Sequence, residues 1–323
     1  MSLLENRWYF KPFEYPWAFS LYKAQQEMHW MPEEVPLHED VKDWQKNLTK
    51  EEKKLLTQIF RFFTQGDVDV AHGYYDKLIP LFPKPEVRMM LGAFANMESV
   101  HQHAYSLLLD TVGMPEAEYK AFAEYQEMAE KHDYLSSISP DTDDMKSILK
   151  AIAVYSGFTE GMQLFSSFAI LMNLTRFGKM KGMGQIVTWS IRDESLHVKG
   201  MTTLFRELVK ENMGAWTDEV KGEIYQACRD MVALEDKFID LCFGIGGGTK
   251  GLTAEETKQY IRYIADRRLL QLGLKTNYGV KENPIPWLEW VLSGVEHANF
   301  FEARATEYNK GALKGSWEQV WAG

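Results

Sequence analysis

Two four-residue patterns carry the chemistry of this chain. Glu98-Ser99-Val100-His101 and Glu194-Ser195-Leu196-His197 are both Glu-x-x-His. Each follows a lone carboxylate set in an apolar stretch: Asp67 lies 31 residues before Glu98, and Glu160 lies 34 before Glu194. On a helix, positions i and i+3 sit about 60° apart, so each Glu-His pair projects from one face. Carboxylates bridge cations and offset their charge, while neutral imidazole suits iron, manganese or zinc. Four carboxylates and two imidazoles therefore form a ligand set for two metal ions inside a helical bundle, a pattern known from di-iron and di-manganese carboxylate proteins. Two ions of total charge 4+ would neutralise four carboxylates that otherwise resist burial as anions. A single Glu-x-x-His is usually a solvated helix face; two copies at matching separations are far more specific.

The remaining histidines lack that spacing. His103 faces away from His101, and His72, His132 and His297 have no partner pattern, so all four read as structural or exposed. Tyr105 lies four residues after His101 and seven after Glu98, one turn beyond the ligands on their face. Spacing alone leaves it open whether Tyr105 is simply a core tyrosine.

The elements that must hold these residues read as helices throughout. Thr49 and Glu52 form a capping box for a helix running to about Leu81, where prolines 83 and 85 break it. Further helices are predicted at about 86–112, 115–132, 144–176, 184–212, 217–241, 253–273 and 287–309. Residues 136–141 and the glycine-rich 244–248 read as loops. The latter follows no strand and lacks the Lys-Ser/Thr ending of a phosphate loop. Residues 1–45, rich in proline and aromatics, read as an arm with a short helix packed outside the bundle. Alternation of period two is absent, so the expected fold is all-α: a ferritin-like helical bundle with a dinuclear metal site in a four-helix core.

Composition sets the outer bounds. The chain has 323 residues, 45% of them hydrophobic, enough for one large core. The net charge of −10 argues against a nucleic-acid or anionic-membrane surface. Cys228 and Cys242 are too few for a disulfide framework and read as reduced thiols. Neither a secretory signal nor an apolar run of membrane-spanning length is visible, so a cytoplasmic location is expected.

At these residues the chain resembles the small, radical-generating subunit of class I ribonucleotide reductase. The resemblance covers nearly the whole chain. It is carried by residues 28–35 (MHWMPEEV), 98–108 (ESVHQHAYSLL), 191–197 (IRDESLH), 265–269 (ADRRL), 283–287 (NPIPW) and 299–302 (NFFE). It implies that Asp67, Glu98 and His101 hold one metal and Glu160, Glu194 and His197 the other. It also selects Asp67 over its neighbour Asp69, which points about 200° away on a helix. Tyr105 takes the position of the stable tyrosyl radical. Trp30 matches a near-surface tryptophan, and Asp193 the carboxylate linking it to His101, together a path for coupled electron and proton transfer. Leu164 and Phe168 would wall the cluster from water.

Tyr308 matches a tail tyrosine that relays the radical to the partner. The implied activity is generation of a radical by oxygen activation, for reduction of ribonucleotides on a separate large subunit. The implied cofactor is Fe/Fe, with Mn/Mn and Mn/Fe compatible with the same ligands. Implied partners are the large subunit, a second copy in a homodimer, and an activating flavoprotein in some members. The domain expectation is 1–308 as the bundle and 309–323 as a tail docking the large subunit, with Trp317 and Trp321 as anchors. This tail lacks the acidic run of many relatives. The rivals are a dimetal ligand-binding oxidase of the same fold, which would need a tunnel and no Trp30 or tail, and a ferritin-like metal-binding protein.

Overall fold

The computed structural model describes residues 2–291. The first helix, α1 (Pro16–Glu27), belongs to the N-terminal arm and packs on two bundle helices, α3 (Pro85–Val112) and α7 (Lys181–Glu211). The arm is anchored by charge as well as by packing. Glu86, at the start of α3, accepts the Arg7 guanidinium and the backbone N–H groups of Glu14 and Tyr15 at 2.9 and 3.1 Å. The Tyr15 hydroxyl donates to Glu211 at the far end of α7, at 2.5 Å.

Helix α2 (Lys50–His72) begins with the expected reciprocal cap: the Glu52 N–H reaches Thr49 Oγ1 at 3.1 Å and the Thr49 N–H reaches Glu52 at 2.8 Å. It continues without a break into a wider π-helical turn, Gly73–Leu78. Helix α3 starts with proline at its first position and ends at Gly113, whose φ of 80° closes the left-handed cap. The N-terminus of α7 is capped by carboxylates from the arm. Asp40 accepts from the N–H groups of Gly182 and Met183, both at 2.8 Å, and Asp43 from that of Met180 at 2.7 Å.

Four predicted elements differ from the structure. The helix expected at 115–132 is two 3-10 turns, Glu116–Tyr119 and Ala121–Glu124, followed by α4 (Gln126–Ser137). A tertiary contact explains the shift: Arg61 on α2 binds Glu118 at 2.5 Å and the Tyr125 hydroxyl at 2.7 Å, drawing this segment against the bundle. The loop expected from 136 accordingly starts later, after Ser137. The single helix expected over 144–176 is interrupted. It consists of α5 (Met145–Val154), a π-helical turn Tyr155–Thr159, an irregular turn over 160–164, and α6 (Phe165–Arg176). The glycine-rich segment from 244 is helical as far as Gly246, the end of α8 (Asp218–Gly246), and turns only at Gly247 and Gly248, both with positive φ. The final helix expected at 287–309 lies mostly outside the described residues.

Asp69, Asp67's local rival, is turned from the cluster toward α4 and pairs with His132 at 2.7 Å and Gln65 at 2.9 Å. The last described long helix, α9 (Ala254–Gln271), carries Asp266, which accepts the backbone N–H groups of Asn277, Tyr278 and Val280 at 2.8–2.9 Å. Deep in the bundle, Lys131 of α4 pairs with Glu235 of α8 and lies over the rings of Phe62 and Phe238, at 4.1 and 4.4 Å. Ser166 of α6 donates to the same Glu235 at 2.6 Å. Hydrophobic residues from Leu3 to Val291 share one buried cluster, and the described residues contain no strand. Among them, no helix is long and apolar enough to cross a membrane.

The Asp266 contacts generate a stability expectation. Asp266→Ala removes a charged acceptor shared by three donors and should cost roughly 3 kcal/mol, since hydrogen bonds to charged groups contribute about 1.5–3 kcal/mol each without full additivity. Urea unfolding of the two proteins checks it; a difference below about 1 kcal/mol would show the loop to be held by packing instead.

Candidate metal centre

Four segments deliver the predicted ligands to one buried place. Asp67 comes from α2, Glu98 and His101 from α3, Glu160 from the end of the π turn after α5, and Glu194 and His197 from α7. All six are almost fully excluded from solvent. Ligand atoms of Asp67, Glu98 and His101 lie within 4.8 Å of one another, as do those of Glu98, Glu160, Glu194 and His197.

The geometry refines the expected division of ligands. Both histidines turn Nδ1 inward. Glu98 reaches both, Oε1 lying 3.0 Å from His197 and Oε2 3.5 Å from His101. Glu194 does the same, with its two oxygens 3.5 Å from His101 and 3.5 Å from His197. Glu98 and Glu194 thus each lie between the two imidazoles, whereas the resemblance implied one metal for each. Asp67 stands on the His101 side only, and Glu160 on the His197 side, 3.3 Å from Nδ1.

Glu160 owes its position to the distorted helix. The i+5 bonds Glu160 N–H to Tyr155 O (3.1 Å) and Gln163 N–H to Phe158 O (3.0 Å) widen the turn. Gly161 permits it: a Cβ there would fall 2.4 Å from the Gly157 carbonyl and 2.5 Å from Arg268 Nε. Arg268, in the ADRRL motif on α9, donates from Nε to the Gly161 carbonyl at 2.8 Å.

The charges are unresolved by protein groups alone. Both oxygens of Asp67, both of Glu98, Glu160 Oε1 and Glu194 Oε2 are buried without a hydrogen bond. Orphaned carboxylate oxygens converging with two imidazole nitrogens fit a pair of divalent ions and are costly without them. Burial raises the Asp67 carboxyl well above its ordinary range, and the Glu98, Glu194 and Glu160 charges add to it against His101. Burial, then Glu194, pushes Glu160 up to about 7. For His101 and His197, burial opposes protonation, but the surrounding carboxylates outweigh it and raise both well above the usual value.

Around this cluster the structure brings the other predicted residues together. Tyr105 is fully buried, edge-on to Phe63 at 4.3 Å, and its hydroxyl donates to Ser190 on α7 at 3.2 Å. Phe63 also packs on Phe168 at 5.3 Å, and Leu164 is buried nearby. On the other side of His101, Asp193 Oδ2 lies 3.2 Å from Nε2 and accepts Trp30 Nε1–H at 2.8 Å. Burial would raise the Asp193 carboxyl, but the bonds from His101 and Trp30 overcome it and hold the value low. Trp30 is 3% exposed, next to the exposed Met31, with its ring 6.1 Å from His101 and 5.0 Å from Trp189.

Residues 7–284 match the family model for the ribonucleotide reductase small chain. The chain belongs to the ribonucleotide reductase small-chain family. It is 45% identical to the probable ribonucleoside-diphosphate reductase small subunit of Invertebrate iridescent virus 6, over 99% of both chains. It is 43% identical to the corresponding probable small subunit of Invertebrate iridescent virus 3, over 98% of this chain and 88% of that one. Among solved structures, the ribonucleotide reductase R2 subunit from Clostridium botulinum superimposes with a TM-score of 0.82 at 26% identity, covering 90% of this chain and 94% of that one. A small chain of this family generates the oxidising equivalent and implies a large-chain partner that reduces the nucleotide.

Several residues of this small chain escaped the sequence reading. Gln25 on the arm donates to Asp193 Oδ1 at 3.2 Å, and Ser190 accepts from Tyr105. Both are single polar residues whose role depends on a contact across the fold, so no spacing signals them. Arg268 lies in the ADRRL motif, but its target, a carbonyl freed by a π turn, carries no signal in the sequence. His103 is exposed beside Glu33, and His72 is exposed, as expected. Tyr308, Trp317, Trp321 and His297 lie outside the described residues.

The metal-free small chain should lose stability as pH rises. Between its ordinary value of 4.5 and its native value of about 7, Glu160 keeps a proton in the folded state that the unfolded chain has released. Asp67 acts in the same sense. The stabilisation from His101 and His197 is complete below about pH 6.5 and is lost as pH climbs through their raised native values. Thermal melts of metal-free protein should therefore fall in Tm from pH 5.5 to 8. Saturating Mn(II) should reverse the slope, because ions bind the deprotonated ligands. A metal-free Tm that climbs toward pH 8 contradicts this.

Proposed function

We propose that this chain holds two iron ions through Asp67, Glu98, His101, Glu160, Glu194 and His197, and stores the resulting oxidising equivalent as a radical on Tyr105. The observation that carries the reading is the joining of three things at one imidazole. His101 faces the cluster through Nδ1, contacts Asp193 through Nε2, and lies within a turn of Tyr105. When bound, the ions supply the activation of oxygen and the one-electron oxidising power.

The chain's own residues do the rest. Glu98 and Glu194, each within 3.5 Å of both imidazoles, would hold the ions together with Asp67, His101, Glu160 and His197. Phe63, Phe168 and Leu164 keep water from the reacting side. Tyr105 gives up one electron and its hydroxyl proton. Buried tyrosinate is strongly disfavoured, so the proton and electron must leave together. Trp30 and Asp193 form the way out. Oxidation of the indole acidifies Nε1–H, and Asp193 Oδ2, 2.8 Å away, is placed to take that proton. Gln25 and His101 hold the carboxylate while it does so. Tyr308 continues the relay, and residues 309–323 dock the large subunit through Trp317 and Trp321. The working assembly is two copies of this chain with that partner.

Three outcomes test the reading. Tyr105→Phe should still bind two ions per chain but lose the stable organic radical seen by electron paramagnetic resonance; an unchanged stable signal sinks the assignment. The wild-type radical should form from Fe(II) and air alone, and a need for added reduced flavoprotein would argue for another metal pair. Truncation before residue 309 should leave the radical intact and abolish pull-down of a reductase large subunit. Retained pull-down would place docking elsewhere.

A further inference from the structure

The ligand set is doubled, and so is its aromatic neighbour. Tyr105 stands beside the Asp67 and His101 end of the cluster. A second tyrosine, Tyr74, stands beside the other end. It is 1% exposed, with its ring edge-on to the His197 imidazole at 6.3 Å and edge-on to Phe94 at 6.3 Å. Its hydroxyl lies beside the Glu160 carboxylate, at the His197 end of the cluster. Burial, then the charges of Glu160 and Glu98, oppose its ionisation, so the phenol oxygen lies in the field of the ligands. Tyr74 follows Asp67 by seven residues, two turns along the same helix face, and enters the core from the π turn Gly73–Leu78. Glycine at 73 is required there: a Cβ would meet the Tyr155 ring at 2.5 Å.

A buried tyrosine normally finds a partner for its O–H. For Tyr74 that neighbour is Glu160, one of the groups that would hold oxidising metal ions. We propose that Tyr74 is a second oxidisable site of the metal centre, on the His197 side, which takes the oxidising equivalent when Tyr105 cannot. The inference rests on the radical reading of the site above. In the step, the Tyr74 O–H bond breaks. The four electrons that take dioxygen, the oxidant, to water come from the two bound Fe(II) ions, from Tyr74 and from one further Fe(II) ion added in excess, and the Tyr74 proton leaves in that water.

Tyr105 differs from Tyr74 in its neighbour, the neutral Ser190 hydroxyl in place of a cluster carboxylate. A hole on Tyr74 also has no way out. His101 leads through Nε2 to Asp193 and Trp30, whereas Nε2 of His197 is buried without a partner. Tyr74 is thus a sink that keeps a misdirected equivalent off the ligands, and it does not feed the large subunit.

The test uses full-length metal-free protein loaded with Fe(II), mixed with dioxygen, freeze-quenched and examined by electron paramagnetic resonance. Tyr105→Phe should lack the stable signal but show a transient radical within seconds, narrowed by ring-deuterated tyrosine. Tyr105→Phe/Tyr74→Phe should lose that transient. Should the double variant fail to bind iron, 3-fluorotyrosine placed at position 74 of the Tyr105→Phe chain reads the same site, by adding fluorine splitting to the transient. No deuterium-sensitive transient in Tyr105→Phe, its persistence in the double variant, or no fluorine splitting overturns the proposal. Loss of the stable signal from wild type would overturn the reading of Tyr105 instead, and the Tyr74-dependent transient is scored separately from it.

Discussion

Four carboxylates buried beside two imidazoles, with six of the carboxylate oxygens lacking a hydrogen bond, form the constraint on which the rest of this structure depends. No arrangement of neutral side chains offsets that charge; cations do. The bundle is organised to tolerate it. The four carboxylates come from separate helical segments, so each is fixed by its own backbone, and Phe94, Phe63 and Phe168 pack beside His197 and Tyr105.

Placing the ligands required breaking the regularity that made them recognisable. Glu160 leaves the chain where an α-helix gives way to a π turn and then to an irregular turn. Gly161 provides the room, and Arg268 from α9 satisfies a carbonyl exposed by the widening. A second π turn ends α2 and brings in Tyr74. The two distortions meet where Gly73 lies under the Tyr155 ring. Both sit next to the cluster, in keeping with the frequent use of π segments at functional sites.

The outer layer of the site belongs partly to the arm. Trp30 and Gln25 both reach Asp193 from a segment that in sequence resembles packing on the outside of the bundle. Glu86, Asp40 and Asp43 fix that arm by accepting guanidinium and backbone donors. The carboxylate that orients His101 is therefore only as well placed as the docking of the arm, a dependence typical of groups one shell out from a metal.

The sequence by itself determined the helical class, the six residues of the cluster and the tyrosine one turn beyond His101. Each rests on local spacing, and a helix converts spacing into direction. Spacing showed only that Asp67 and Asp69 point apart; the resemblance chose Asp67, and Asp69 faces His132 rather than the cluster. Only the tertiary structure decided that Glu98 and Glu194 each lie between the two imidazoles, that the helix over 144–176 breaks at Glu160, and that Trp30 is buried. These depend on which helices approach one another and how closely, and on contacts such as Arg268 with Gly161 or Arg61 with Tyr125. A contact between residues a hundred positions apart has no period in the sequence, so local spacing cannot announce it.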